Sequence, residues 1–225
     1  MTAASYWQQK WRENDIGFHH EAVNPFLIEY ANLLDLNEAS TVLVPLAGKS
    51  LDVAWLARQA KQVIAVELSE LAVEQFFASQ GLIPEVTQQA PFTLYSAQNI
   101  RFYCGDLFAL PPEIVQQADA LYDRAALIAL DPAMRERYMQ LWCQHLSAGC
   151  KILLLTMEYE QAVMAGPPFS VTAQMIQSGY ARDFDITEQY RQLKSMSESH
   201  LSKKGLAEAT DVVTLLQRKV INATS

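Results

Sequence analysis

The chain has 225 residues, half of them apolar, which suffices for one sizeable core. Its 17 basic against 25 acidic side chains give a net charge of −8 with no basic run, which argues against a nucleic-acid or anionic-membrane partner. No apolar stretch reaches signal-core or spanning length, and Cys104, Cys143 and Cys150 form no C-x-x-C pair, so reduced thiols in a cytoplasmic protein are expected and a zinc site is not.

In chain order, Ser5 to Glu13 is predicted helical, with Trp7 and Trp11 one turn apart on one face. Asn24 to Leu36 is a second helix, with Pro25 suited to its first turn. Thr41 to Val44 is a β-branched, apolar run that reads as a buried strand, and Pro45 to Ser50 breaks it. Leu51, Trp55 and Leu56 then recur at helical spacing, with Val53 and Ala54 filling out the apolar face. Gln62 to Val66 is the next strand, with Glu67 just past its end. Ser69 caps a helix through Phe77 that turns Leu71, Val73, Phe76 and Phe77 inward. Phe92–Tyr95 and Ile100–Cys104 read as a hairpin ending at Gly105–Asp106, and Ala120–Tyr122 as a short strand followed by Asp123 and Arg124. Asp131 and Pro132 start a helix that stops before Gly149, and Lys151 to Met157 is another buried strand. Gly166, Pro167 and Pro168 make a stiff loop, and Ser170 opens a helix that Gly179 ends. Two long strands, Ala181–Arg191 and Ala207–Gln217, close the chain. With no linker or internal repeat, the expectation is one α/β domain over residues 1–225: a doubly wound, mostly parallel sheet with an antiparallel edge.

The stretch from Thr41 to Glu70 carries the functional signal. In an open parallel sheet, ligands bind beyond the carboxyl ends of the strands, and an acid about 20 residues past the first turn holds a ribose diol. Glu67 stands where that acid is needed, and a carboxylate can accept both hydroxyl protons. The alternative for Glu67 is a solvated strand end. GKS is not a P-loop, because position 43, where that motif needs glycine, is Leu43. A dinucleotide fold, and with it a nicotinamide oxidoreductase, needs a G-x-G-x-x-G turn, and this turn has one glycine. What is left is a smaller adenosyl ligand. His19–His20–Glu21 superficially resembles a metal cluster, but adjacent side chains diverge and no further ligand has suitable spacing, so no metal is expected.

Six blocks occur in order: W-x-x-x-W at Trp7 and Trp11, GFHHEAVNP from Gly17, VLVPLAGKSLDVAWLA from Val42, VELSELAVEQFF from Val66, YDRAALIAL from Tyr122 and GPPFSV from Gly166. Together they resemble the thiopurine S-methyltransferase family, its bacterial members most of all. The resemblance implies a class I, S-adenosylmethionine-dependent methyltransferase fold, Rossmann-like, with a seven-stranded sheet and N-terminal helices (residues 1–38) that cover the active site. It implies S-methylation of aromatic or heterocyclic thiols, releasing S-adenosylhomocysteine, in a detoxifying role. Methyl transfer mainly to selenium or tellurium species is the alternative, and a non-catalytic S-adenosylmethionine-binding module a further one.

By the same resemblance, Trp11, Leu46, Glu67, Asp106, Leu107 and Arg124 contact the cofactor, with the Gly105–Asp106–Leu107 segment beside the adenine. Arg124 lies at the cofactor–substrate junction and is the candidate catalytic group. Trp7, Phe18, Pro167 and Pro168 are the candidate acceptor-binding residues. Asp15 and Asp123 are further candidates for accepting a proton, with Asp123 alternatively orienting its neighbours. Relatives carry PLCGKS where this chain has Ala47, a small residue that a tight turn tolerates. The late segment SESHLSKKG, from Ser197, aligns poorly and identifies no basic residue for the acceptor. A monomer acting on a small thiol or chalcogen acceptor is the expected form. Each candidate also has a structural reading: paired tryptophans at helical spacing commonly serve a core, and an arginine a surface ion pair.

Overall fold

The computed structural model describes residues 3–220, so the outermost bounds of the expected domain, 1 and 225, lie outside the described residues. The chain forms two compact units, Met1–Leu121 and Tyr122–Ser225.

In the first unit, α1 (Ala3–Arg12) precedes α2 (Pro25–Tyr30), which continues as a 3₁₀ turn through Leu34. Asn24 caps α2 by accepting from Phe26 N at 2.9 Å, and Pro25 occupies the first helical position as predicted. The Asn24 amide in turn donates to the buried carboxylate of Asp52, at 2.8 Å. β1 (Thr41–Pro45), α3 (Leu51–Leu56), β2 (Gln62–Glu67) and α4 (Glu70–Ser79) follow in the expected order, with Ser50 and Ser69 as N-caps. Then come β3 (Glu85–Gln89), β4 (Phe92–Ala97), β5 (Ile100–Cys104), the short α5 (Pro112–Val115) and the start of β6 (Ala120–Arg124). The strand order is β3-β4-β5-β2-β1-β6. β5, β2, β1 and β6 run parallel, with Thr41 opposite Gln62, Val63 opposite Ile100 and Val42 opposite Ala120, while β3 and β4 are antiparallel additions.

The core of this unit lies where the apolar runs predict it. Every residue of β1 is buried, and Phe76, Phe77 and Phe102 interlock with ring centroids 4.9–5.6 Å apart. Two helix faces are rotated from expectation. α3 buries Asp52, Val53 and Leu56 while Leu51 and Trp55 stay half-exposed, because Asp52 turns inward to hold Asn24. α4 buries Ala72 beside Val73, Phe76 and Phe77, and leaves Leu71 exposed.

The second unit carries α6 (Pro132–His145), β7 (Lys151–Glu158), α7 (Ala173–Tyr180), β8 (Phe184–Ser195) and β9 (Glu208–Arg218). β7, β9 and β8 pair antiparallel in that order, with an irregularity in β8 between Glu188 and Tyr190. Asp131 caps α6, as its position before Pro132 implies. α7 begins later than predicted: Thr172 is its cap, accepting from Met175 N, and the Ser170 hydroxyl accepts from Tyr159 N instead. Gly179 lies inside α7 rather than after it, since a Cβ there would sit 2.2 Å from Met139 Sδ on α6. The described residues contain nine strands where the family resemblance implied seven. β3 is the one no pattern signalled, because all five of its residues are exposed and no apolar alternation marks it.

Candidate functional site

The turn between β1 and α3 is built around the Glu67 carboxylate. Leu46 and Gly48 both adopt positive φ, +47° and +55°, which costs a leucine about 1–3 kcal/mol and is concentrated at functional turns. The bend returns the chain so that Ala47 N donates to Val66 O at 3.0 Å and Gly48 N to Glu67 Oε2 at 2.8 Å. From the other side, Ser69 N donates to Glu67 Oε1 at 2.8 Å. Glu67 is only 6% exposed, so it is not a solvated strand end. Burial pushes its pKa up, opposed by the hydrogen bonds from Ser69 N and Gly48 N and, least, by the nearby Leu68 amide, which makes no hydrogen bond of normal geometry to the carboxylate.

This seat fits the ribose of an adenosyl ligand. Each Glu67 oxygen accepts one of those two amides, which leaves each with a further lone-pair direction for a hydroxyl. Trp11, 5% exposed, closes over the turn: its ring lies 3.1 Å from where a Cβ on Gly48 would project, so any larger residue would push the tryptophan away. Lys49 stands over the Trp11 ring at 5.9 Å and donates to Gln75 at 2.9 Å. Phe18 joins both tryptophans edge to face, 5.5 Å from Trp7 and 5.6 Å from Trp11. The predicted residues Trp7, Trp11, Phe18, Leu46 and Glu67 thus belong to one unit, and Phe18 bridges the tryptophans. Beside them, a polar groove of about 430 Å³ runs along Asn14–Gly17, His19, Glu21 and Lys49.

At the end of β5, Gly105 N donates to Glu67 O at 2.9 Å. A Cβ on Gly105 would meet the Phe92 ring at 2.5 Å, which is why this position is glycine. Of its two neighbours, Leu107 is buried, and exposed Asp106 caps a 3₁₀ turn by accepting from Phe108 N at 3.0 Å. Asp15, a candidate proton acceptor, is paired with Lys10 on an exposed surface. Among the described residues no group of three metal-ligating side chains occurs, at His19–Glu21 or elsewhere.

In the second unit, Arg124 is the last residue of β6 and half-buried. Asp123, 1% exposed, accepts from Ala126 N and Leu127 N at 3.2 Å each and from the Tyr138 hydroxyl at 2.6 Å. Burial raises its pKa to about 6 against those three donors. Its hydrogen bonds hold the turn after Arg124, where Ala125 takes a φ of +65°. Pro167 and Pro168 lie in a loop whose carbonyls accept from Lys204 Nζ at 3.3 Å and the Tyr159 hydroxyl at 2.5 Å. Through Lys204 the late segment SESHLSKKG reaches this loop. Tyr159 had no local signal, because its partner lies nine residues away in an irregular loop.

The profile of the thiopurine S-methyltransferase family matches residues 2–219. The chain belongs to that family. A Pseudomonas putida thiopurine S-methyltransferase is 51% identical over 177 residues, covering 79% of this chain and 82% of its own. The Bordetella petrii thiopurine S-methyltransferase is 43% identical over 216 residues, covering 96% and 99%. Among solved structures, a Burkholderia thailandensis 1,6-didemethyltoxoflavin-N1-methyltransferase with S-adenosylhomocysteine bound superposes with a TM-score of 0.65 at 16% identity, covering 96% of this chain and 87% of that one. At that identity the likeness concerns the fold, and it bears out the class I methyltransferase architecture. The thiopurine S-methyltransferase family is one of S-adenosylmethionine-dependent methyltransferases, so this chain is such an enzyme and S-adenosylmethionine is its cofactor. No helix among the described residues is long and apolar enough to cross a membrane.

Proposed function

We propose that this enzyme methylates the sulfur of an aromatic or heterocyclic thiol. The observation that carries the reading is the naming of relatives up to 51% identical as thiopurine S-methyltransferases. It is supported by the aromatic cluster of Trp7, Trp11 and Phe18 beside the Glu67 seat. S-adenosylmethionine supplies, when bound, a methyl carbon on an electrophilic sulfonium. That carbon would pass to the thiolate, its bonding pair staying with the departing cofactor sulfur, and the thiol proton would be left to solvent. Such a displacement needs the three centres in line at about 3 Å approach, so the protein's task is mainly placement.

In this reading Glu67 anchors the ribose, Leu46 and Leu107 flank the cofactor with Asp106 at the edge, and Trp11 covers it. A tryptophan face also tolerates a nearby sulfonium. Trp7, Phe18, Pro167 and Pro168 contact the acceptor. Aromatic thiols ionise readily, and Arg124 favours the thiolate. Asp123 serves to hold the turn beyond Arg124 rather than to take a proton, because its oxygens already receive three donors.

The test is the pH profile of transfer to one aromatic thiol. Arg124→Ala raises the pH of half-maximal rate and Arg124→Lys partly restores it, since lysine keeps the charge without the planar fork. A profile that stays fixed while activity falls removes the thiolate role. A wild-type enzyme that methylates no member of a thiol panel overturns the substrate class.

A further inference from the structure

The backbone from Pro167 to Val171 is held almost group by group. Pro167 O accepts from Lys204 Nζ at 3.3 Å and Pro168 O from the Tyr159 hydroxyl at 2.5 Å. Phe169 N donates to Ile128 O at 2.6 Å, Ser170 N to Gln161 Oε1 at 2.9 Å and Val171 N to Met157 O at 2.9 Å. Ser170 O accepts from Arg135 Nη1 at 3.3 Å. Irregular backbone is normally solvated and variable. A loop with this many tethers has one conformation to present.

Tyr159 is the hub of that network. It follows β7, and its own amide donates to Ser170 Oγ at 3.0 Å, while its hydroxyl accepts from Gln161 Nε2 at 3.2 Å and donates to Pro168 O. It therefore grips the loop on both sides of Phe169. The Gln161 side chain extends the grip, bonding Met164 O at 2.7 Å and Ser170 N. Tyr159 also packs against a buried cluster of Met164, Met196, Leu201, Leu206 and Ala209. Arg135 also reaches the loop, but its buried guanidinium additionally bonds Leu130 O at 3.3 Å and lies 5.9 Å from the Phe169 ring. Its removal would disturb the fold around α6. The Tyr159 hydroxyl, by contrast, can be deleted with the ring left in place.

We infer that Tyr159 is a positioning residue for the methyl acceptor, acting through its hydrogen bond to Pro168 O. This rests on the reading of Pro167 and Pro168 as acceptor contacts. The hydroxyl touches neither cofactor nor acceptor in this role. It sets where the two prolines stand, and so how well they receive a planar thiol.

The experiment uses the full chain and Tyr159→Phe, with one aromatic thiol as the probe acceptor. Steady-state kinetics are read against calorimetric titration with S-adenosylmethionine and hydrogen exchange over residues 166–171. The Michaelis constant for the thiol rises about three- to tenfold, the range a single neutral hydrogen bond supports. Affinity for S-adenosylmethionine stays within about twofold, and exchange in the loop quickens. An unchanged Michaelis constant for the thiol overturns the inference, as does a loss of cofactor affinity as large as the loss for the thiol, which marks a general structural role. Wild-type enzyme that transfers methyl to no thiol overturns the substrate reading itself, and the inference with it. That outcome is distinguishable because it appears before any substitution is made.

Discussion

Glu67 and Asp123 invite comparison, because each is a buried carboxylate at or next to the carboxyl end of a parallel strand, and each has its pKa raised by burial. They differ in what surrounds their oxygens. Glu67 receives one amide on each oxygen, so both keep an open direction. Asp123 receives two amides on Oδ1 and a tyrosine hydroxyl on Oδ2, which fills one oxygen and half-fills the other. A buried carboxylate with room for donors is poised for a ligand. One already supplied with donors is a strut. The same contrast runs through the regions around them: the Glu67 seat is made by amides at the two ends of adjacent turns, whereas the Pro167–Pro168 loop hangs on side chains from Tyr159, Gln161, Arg135 and Lys204.

The largest expected effect tests the strut. A carboxyl with a raised folded pKa favours the native state in its protonated form, so the stability contributed by Asp123 is full below its ordinary value of 3.8. That contribution declines as pH rises and levels off above about 6. The span of about two pKa units corresponds to about 3 kcal/mol. Asp123→Asn keeps an oxygen for the Ala126 and Leu127 amides and cannot ionise. Urea unfolding at pH 4 and pH 7 should therefore show wild type losing up to about 3 kcal/mol of its advantage over the variant between the two. Curves that run parallel would mean the carboxylate is solvated in a way the packing does not allow.

The next effect tests the open seat. Glu67→Gln removes charge-assisted bonds to the ribose diol worth about 1.5–3 kcal/mol, so affinity for S-adenosylmethionine should fall about 10- to 100-fold. The apo protein should also melt earlier, by about 1–3 kcal/mol, because the glutamine amide faces one of the Gly48 and Ser69 amides with a donor. Hydroxyl donors favour the ionised carboxyl, so wild-type cofactor affinity is full above the folded pKa of Glu67. It is lost about tenfold per unit below that pKa. Since that pKa is raised, the loss should begin above the ordinary glutamate value of 4.5. Calorimetry across pH reads this directly, and the glutamine variant should give a flat line. A flat line from wild type would remove Glu67 from the cofactor site.

The contrast also accounts for what the sequence makes legible. The Glu67 seat is specified by short-range features: a β-branched run, a turn with Gly48, a capping serine at Ser69, and an acid at the strand end. Each has a local cause, so periodicity and turn chemistry suffice to read them. The Pro167–Pro168 loop is announced only by Gly166–Pro167–Pro168. Its partners lie at separations of 9 residues for Tyr159, 35 for Arg135 and 37 for Lys204, and nothing local ties them to it. Ser170 shows the consequence, since a serine before a helical run reads as a cap, yet its hydroxyl is taken by Tyr159 N and the helix waits for Thr172. The rotated face of α3 has the same origin, because the demand on Asp52 comes from Asn24, 28 residues earlier.

The smallest expected effect ranks the tethers of that loop. Lys204 reaches Pro167 O at 3.3 Å from an exposed position, with a flexible stem whose ordering offsets much of the bond. Lys204→Met keeps the stem's length and removes the donor and the charge. Stability should change by less than about 0.5 kcal/mol, as for other exposed charged contacts. The Michaelis constant for an aromatic thiol should change less than it does in Tyr159→Phe, because the remaining tethers of the loop stay in place. Both variants can be run with the same acceptor and buffer, so the ratio of their effects is free of differences in assay. A larger effect from Lys204→Met at low ionic strength, fading as salt is added, would mean that the lysine acts on a negatively charged acceptor by field rather than on the loop by its bond. A larger effect that ignores salt would mean that the loop is held from its exposed end, and the division between a locally built cofactor seat and a loop anchored through Tyr159 would have to be redrawn.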